Sequence, residues 1–239
     1  MGYRHERERR DYADLAAGRV LLSAPGATAF PVRLGSELAQ RAFAHAETQR
    51  PLVYDPCCGS GYLLTVIGFL HGKRIAGLVG SDISADAVAL CERNLALLDA
   101  RGLDARIAKL RNDLAAFGKT SHRDALASAE RLRQLLPSDL SRRTFVADIG
   151  DHDGVRLGLD ALEPDVVITD VPYGATSGWS GSAAVGGVTV LLDSLSSILR
   201  LGTVVAIASS KPERQTHERY ERLERWQVGK RALTILRRR

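Results

Sequence analysis

The chain has 239 residues, 45% hydrophobic and 26% charged, enough apolar material for one packed globular domain. No stretch reaches the roughly 20 apolar residues of a membrane span, and residues 1–10 lack a signal-peptide core, so the sequence reads as cytoplasmic. Three cysteines, Cys57, Cys58 and Cys91, exclude a disulfide framework and lack metal-ligand spacing, so no metal is expected. The net charge of +5 is concentrated in two stretches, with ten Lys/Arg against five Asp/Glu in 101–143 and ten against four in 211–239. Such asymmetry points to a polyanion such as nucleic acid.

Residues 1–20 read as a short helix or a frayed arm whose Arg4, His5, Arg7, Arg9 and Arg10 are candidates for phosphate contact. Proline and glycine mark a loop over 23–31, and apolar residues at helical spacing predict a helix from Val32 to about His45. Leu52–Asp55 is a first strand, the Gly59-Ser60-Gly61 turn follows, and a helix runs from Tyr62 to His71. A second strand over 76–81 ends at Asp82, and Ser84 caps a helix expected over 85–100. Residues 101–143 interrupt the alternation with a basic helical hairpin broken at 118–121, a candidate substrate-contacting element. Strands then end at Asp148 and Asp170, a Gly/Ser-rich loop covers 175–187, and a helix covers 188–199. A fifth strand over 202–208 and one or two closing strands near Trp226 complete the chain. The whole, 1–239, reads as a single doubly wound α/β domain with an N-terminal extension over 1–50 and an insertion over about 101–143.

The first four strands each end in a carboxylate: Asp55, Asp82, Asp148 and Asp170. In an open parallel sheet those ends share one edge, where ligands bind. Gly59 and Gly61 let a ligand approach the backbone there, and Asp82, 21 residues past Gly61, suits a ribose diol. A dinucleotide fits poorly: Leu64 breaks G-x-G-x-x-G, and Asp55 would repel a pyrophosphate. A sulfonium ligand with an ammonium group fits, which indicates S-adenosylmethionine. The cofactor-binding set is therefore Asp55, Cys58, Gly59, Gly61, Tyr62, Asp82, Ile83 and Asp148.

Asp170-Val-Pro-Tyr173 resembles the (Asp/Asn)-Pro-Pro-(Tyr/Phe) motif of methyltransferases that modify nitrogens, with Val171 in place of the first proline. Asp170, Pro172 and Tyr173 are the candidate catalytic residues: Asp170 as proton acceptor or orienting group, Tyr173 as a stacking partner. Pro56-Cys57 has the form of a cytosine-C5 nucleophile but sits in the cofactor turn. Tyr3-Arg-His5, Ser23-Ala-Pro-Gly26, Phe30-Pro-Val-Arg-Leu34, the run from Asp55 to Thr65, Asn94-Leu-Ala-Leu-Leu98 and the run from Pro164 to Gly174 together resemble the AviRa-like family of avilamycin-resistance ribosomal RNA methyltransferases. The resemblance implies a class I S-adenosylmethionine-dependent methyltransferase fold with a Rossmann-like seven-stranded sheet. It also implies methylation of a guanine in 23S rRNA or the large ribosomal subunit, at N1, and orthosomycin resistance. Methylation of an exocyclic amino group on RNA or DNA, of a protein glutamine, or RNA binding without catalysis are the alternatives.

Overall fold

The computed structural model describes residues 2–24, 29–171, 181, 187–210 and 216–239. Seven strands form one sheet in the order β3-β2-β1-β4-β5-β7-β6. They are β1 Leu52–Asp55, β2 Gly77–Asp82, β3 Ser141–Val146, β4 Val166–Asp170, β5 Val204–Ser210, β6 Tyr220–Val228 and β7 Arg231–Arg238. Only β7 runs against the others. The central strands are apolar on both faces, as expected where helices cover both sides.

One face carries helices α1 Val32–His45, α2 Tyr62–His71, α3 Ala85–Ala96, α4 Ala100–Phe117 and α5 Thr120–Leu132. The other carries α6 His152–Leu159 and α7 Val188–Ile198. β1 lies between β2 and β4, so the strand order reverses there and the sheet's switch point falls at the carboxyl ends of β1 and β4. No helix among the described residues is long and apolar enough to cross a membrane.

Three expectations are corrected. The helix expected over 85–100 ends at Ala96, because Asp99 accepts from the Gly102 N–H at 2.8 Å and starts α4 instead. Helix α6 follows β3, capped by Asp151 accepting from the Gly154 N–H at 3.1 Å, where no helix was expected. The N-terminal arm is anchored rather than frayed. The Glu37 carboxylate in α1, fully buried, accepts from the backbone N–H groups of Arg4, His5 and Glu6 at 2.6 to 2.8 Å.

The basic hairpin α4–α5 spends much of its charge on internal structure. Arg131 pairs with Asp14, Arg133 with Asp104, Arg111 with Glu130 and Lys109 with Asp113. Arg106 donates to the Arg19 and Val20 carbonyl oxygens at 3.0 Å. The hairpin thereby clamps the segment in which Leu15, Val20 and Leu21 are buried.

Candidate active site

The strand-end carboxylates do gather. Asp55 is 2% exposed, and burial pushes its carboxyl up to about 7. The Thr169 hydroxyl beside it and the Cys57 N–H, at 3.1 Å, pull the other way, while the charges of Asp82 and Asp170 add to the rise. Three carboxylates within electrostatic reach of one another form a site that favours a cation.

Asp82 is fixed by two backbone donors, Gly59 N–H to Oδ2 at 2.9 Å and Ser84 N–H to Oδ1 at 3.0 Å. Each oxygen keeps a lone pair for a diol. Ile83, next in the chain, is 44% exposed although apolar, and Val146, paired with Asp82 across β2 and β3, is 54% exposed. Asp148, expected at the end of β3, instead lies two residues past its last residue, Val146, in the turn where it takes the Gly150 N–H at 3.0 Å. A side chain at Gly181 would overlap the Asp148 carboxylate and come within 2.5 Å of Ile83 Cδ1. Gly181 thus stands against the two residues expected to hold the flat part of a ligand. In the sequence Gly181 is one glycine of a Gly/Ser-rich stretch, with no other signal to set it apart.

The two turn glycines have different roles. Gly59 has φ +51° and nothing within 4 Å of where a side chain would start. That is the open cradle expected where a ligand approaches backbone. Gly61 has φ +69°, but its missing side chain faces α3: a Cβ would overlap Cys91 Sγ and lie 3.0 Å from Cys91 Cα. What its missing side chain makes room for is close packing of α3. Gly61→Ala is expected to lower stability by about 2–4 kcal/mol, from strain at positive φ plus overlap with backbone. Gly59→Ala is expected to cost about 1 kcal/mol in stability but to weaken ligand binding at least about tenfold. Thermal unfolding and calorimetry separate the two, and equal stability losses would contradict this division.

Cys58 and Tyr62 are not brought to the ligand side by their side chains. The Cys58 N–H donates to the Ser81 carbonyl at 2.9 Å, and its thiol packs near Gly80, beside Cys91. The Tyr62 hydroxyl donates to the Leu15 carbonyl at 2.8 Å, in the core. What Tyr62 offers the turn is its first-turn N–H. The Cys57 thiol is pushed well up by burial and by the Asp55 and Asp82 charges, which suits packing and not a nucleophile.

Asp170 ends β4 in register with Ala208 of β5. The following residue, Val171, donates its N–H to the Ala208 carbonyl at 3.0 Å. A proline at 171 has no N–H to make that bond. The valine therefore fixes the backbone through the sheet ladder where the motif's usual proline fixes it through its ring. Pro172 and Tyr173 lie outside the described residues.

The open Gly59 cradle, the doubly held Asp82 and a buried carboxyl poised to ionise beside a cation fit S-adenosylmethionine. The profile of the family described as rRNA methyltransferase AviRa matches residues 1–231. A 23S rRNA (guanine(2535)-N(1))-methyltransferase from Streptomyces viridochromogenes is 41% identical over 239 residues, covering 98% of this chain and 95% of that one. The solved structure of rRNA methyltransferase AviRa from the same organism superimposes with a TM-score of 0.90 at 40% identity, covering 99% of this chain and 96% of the other. TrmN from Thermus thermophilus, at 15% identity and a TM-score of 0.50, covers 87% of this chain and 49% of its own and shares the fold alone.

Proposed function

The chain belongs to the AviRa family of rRNA methyltransferases, and from that premise we propose that it methylates N1 of a guanine in 23S rRNA, in the cytoplasm, with orthosomycin resistance as the consequence. It is an S-adenosylmethionine-dependent enzyme, and residues 1–239 act as one methyltransferase domain carrying the 1–50 extension and the helical insertion. The observation that carries the reading is the buried Asp55 carboxyl at the switch point, within electrostatic reach of Asp82 and Asp170, with Asp82 held by the Gly59 N–H.

The cofactor, when bound, supplies an electrophilic methyl group on a sulfonium that leaves with the bonding electron pair. Asp82 would accept from the ribose hydroxyls, Ile83 and Asp148 would hold the adenine, and Asp55 would answer the positive charge. Asp170 accepts the proton that guanine N1 gives up as its new bond to carbon forms. Tyr173 stacks on a base unpaired from its strand, worth roughly 1–3 kcal/mol. Incubation of 23S rRNA with labelled cofactor, nuclease digestion and mass spectrometry is expected to yield 1-methylguanosine. A methyl on the exocyclic nitrogen, or transfer to DNA or protein alone, would overturn the assignment.

The raised Asp55 pKa gives a signed prediction. A cation beside Asp55 prefers the ionised form, so binding expels a proton below pH 7. Below about 7.5 the ligand's own amino group stays mostly protonated. Cofactor affinity is therefore expected to rise by up to tenfold per unit between about pH 5.5 and 7 and then to level. Calorimetry in buffers of different ionisation enthalpy counts the proton, and Asp55→Asn should flatten the curve. By the same sign, the free protein loses stability as pH rises from the ordinary carboxyl range through 7. A flat wild-type profile would remove Asp55 from the cationic site.

A further inference from the structure

Along the outer edge of the sheet, between the N-terminal arm and β6, lies a groove of about 590 Å³. Tyr3, Arg4, Arg7, Arg41, Arg225 and Trp226 line it. We propose that this groove is a docking site for the phosphodiester backbone of the RNA flanking the target base, a reading that rests on the proposed rRNA substrate.

Charge is the first argument. Four arginines and His45 line the groove against one lining carboxylate, Glu224. Glu224 already receives Arg4 at 2.9 Å, Arg41 at 2.8 Å and His45 at 2.8 Å. Arg7 and Arg225 are exposed, and neither has an ion-pair partner among the described residues. The groove thus carries cationic excess, whereas several cations of the α4–α5 hairpin are committed to pairs within the fold.

The ligand chemistry follows from the aromatic residues. The Arg41 guanidinium sits 4.2 Å over the Trp226 ring and Arg33 sits 3.9 Å over Tyr3. Each ring already has one face covered, and Trp226 is 7% exposed. The groove offers guanidinium groups instead of an open stacking platform, so it should hold phosphates and position the strand without reading bases.

Placement connects it to the reaction. Asp170 pairs with Ala208, Ala208 with Leu233, and Leu233 with Trp226. The groove's upper end is therefore level with the catalytic carboxylate, three strands away, or roughly 14 Å at the usual strand spacing. A strand with its target base at Asp170 reaches the groove within a few nucleotides.

The test uses the full chain carrying Arg4→Ala and Arg7→Ala together, both exposed, so the fold should be retained; unchanged cofactor affinity by calorimetry verifies this. The probes are deproteinised 23S rRNA and a labelled oligouridylate of about 20 nucleotides, with the assembled large subunit alongside, titrated across a salt series. Both are expected to bind roughly 10- to 30-fold more weakly at low salt, with the salt slope shallower by about 2. Lys119→Ala with Arg123→Ala on the hairpin is expected to change neither probe's affinity. Unchanged affinity and slope in the arm variant overturn the proposal. So does a loss seen only with the assembled subunit, which would assign the groove to a ribosomal protein. Failure of the rRNA substrate itself would appear separately, as absence of methyl transfer by the unmodified chain.

Discussion

Asp170→Asn is expected to slow methyl transfer to 23S rRNA by about 100-fold or more while changing S-adenosylmethionine affinity less than about threefold. The argument is chemical before it is geometric. Guanine N1 carries a proton and must lose it as the methyl arrives, so an acceptor is needed beside the target. An amide matches the carboxylate in shape and can still accept a hydrogen bond, but cannot take the proton. The backbone around the position should not move, because Asp170 lies in register with Ala208 and Val171 donates to the same residue's carbonyl. Single-turnover transfer and calorimetry separate the two effects. If both fell together, Asp170 would belong to the cofactor pocket or the fold. If transfer fell less than about threefold, the proton would leave by another route.

The parts of the fold that were legible are those whose cause is local. α1, β1 and α2 have the boundaries expected, because a proline, an apolar run and a glycine turn mark them within a few residues. Asp55, Asp82 and Asp170 were legible for the same reason: position at a strand end is a local property, and parallel topology carries those ends to one edge, whereas Asp148 lies two residues beyond the end of β3. What stayed hidden depends on distant neighbours or weak patterns. The apolar spacing runs on through Leu97, Leu98 and Leu103, so only the Asp99 cap separates α3 from α4. Helix α6 buries only Val155 and Leu159, too few to register as a face. Strand β6 begins at Tyr220, earlier than expected, because its alternation is carried by Glu, Arg and Gln with Tyr220 and Trp226 as its buried members.

The site divides in the same way. That Gly59 opens toward a ligand was readable from the turn itself. That Gly61 instead makes room for Cys91, thirty positions later, requires knowing how α3 packs. Tyr62 follows the turn in sequence, yet its hydroxyl is claimed by Leu15, forty-seven positions earlier. A cofactor-binding list drawn from adjacency to a motif therefore captures backbone contributions and overstates side-chain ones.

Glu37→Gln is expected to be the most destabilising polar substitution of the N-terminal half, by about 3–5 kcal/mol, a fall in Tm of roughly 6–20 °C. Oε1 of Glu37 accepts from the Arg4 N–H and from Arg41 Nε, both at 2.6 Å, and Oε2 accepts from the N–H groups of His5 and Glu6 at 2.8 Å. Burial by itself would raise this carboxyl; those donors outweigh it, and the net shift is downward. Its contribution is thus complete above the ordinary glutamate range, about 4.3, and is lost as pH falls through the lower folded value. Glutamine has one acceptor where four donors converge, and either orientation of its amide sets an NH₂ against two of them. The loss should spread along the arm. Glu6 beside it holds the Tyr12 hydroxyl at 2.5 Å, the Ser36 hydroxyl at 2.6 Å and Gln40 at 2.9 Å, and that cluster depends on the arm staying in place. Trypsin should then cut the variant at Arg4, Arg7, Arg9 or Arg10 under conditions that leave the parent intact. Because Arg4 and Arg7 line the groove, the released arm should also weaken RNA binding while cofactor affinity at the carboxyl ends of β1 and β4 holds. A stability change below about 1 kcal/mol, with the arm still resistant, would mean that hydrophobic contacts and not the buried carboxylate fix the arm.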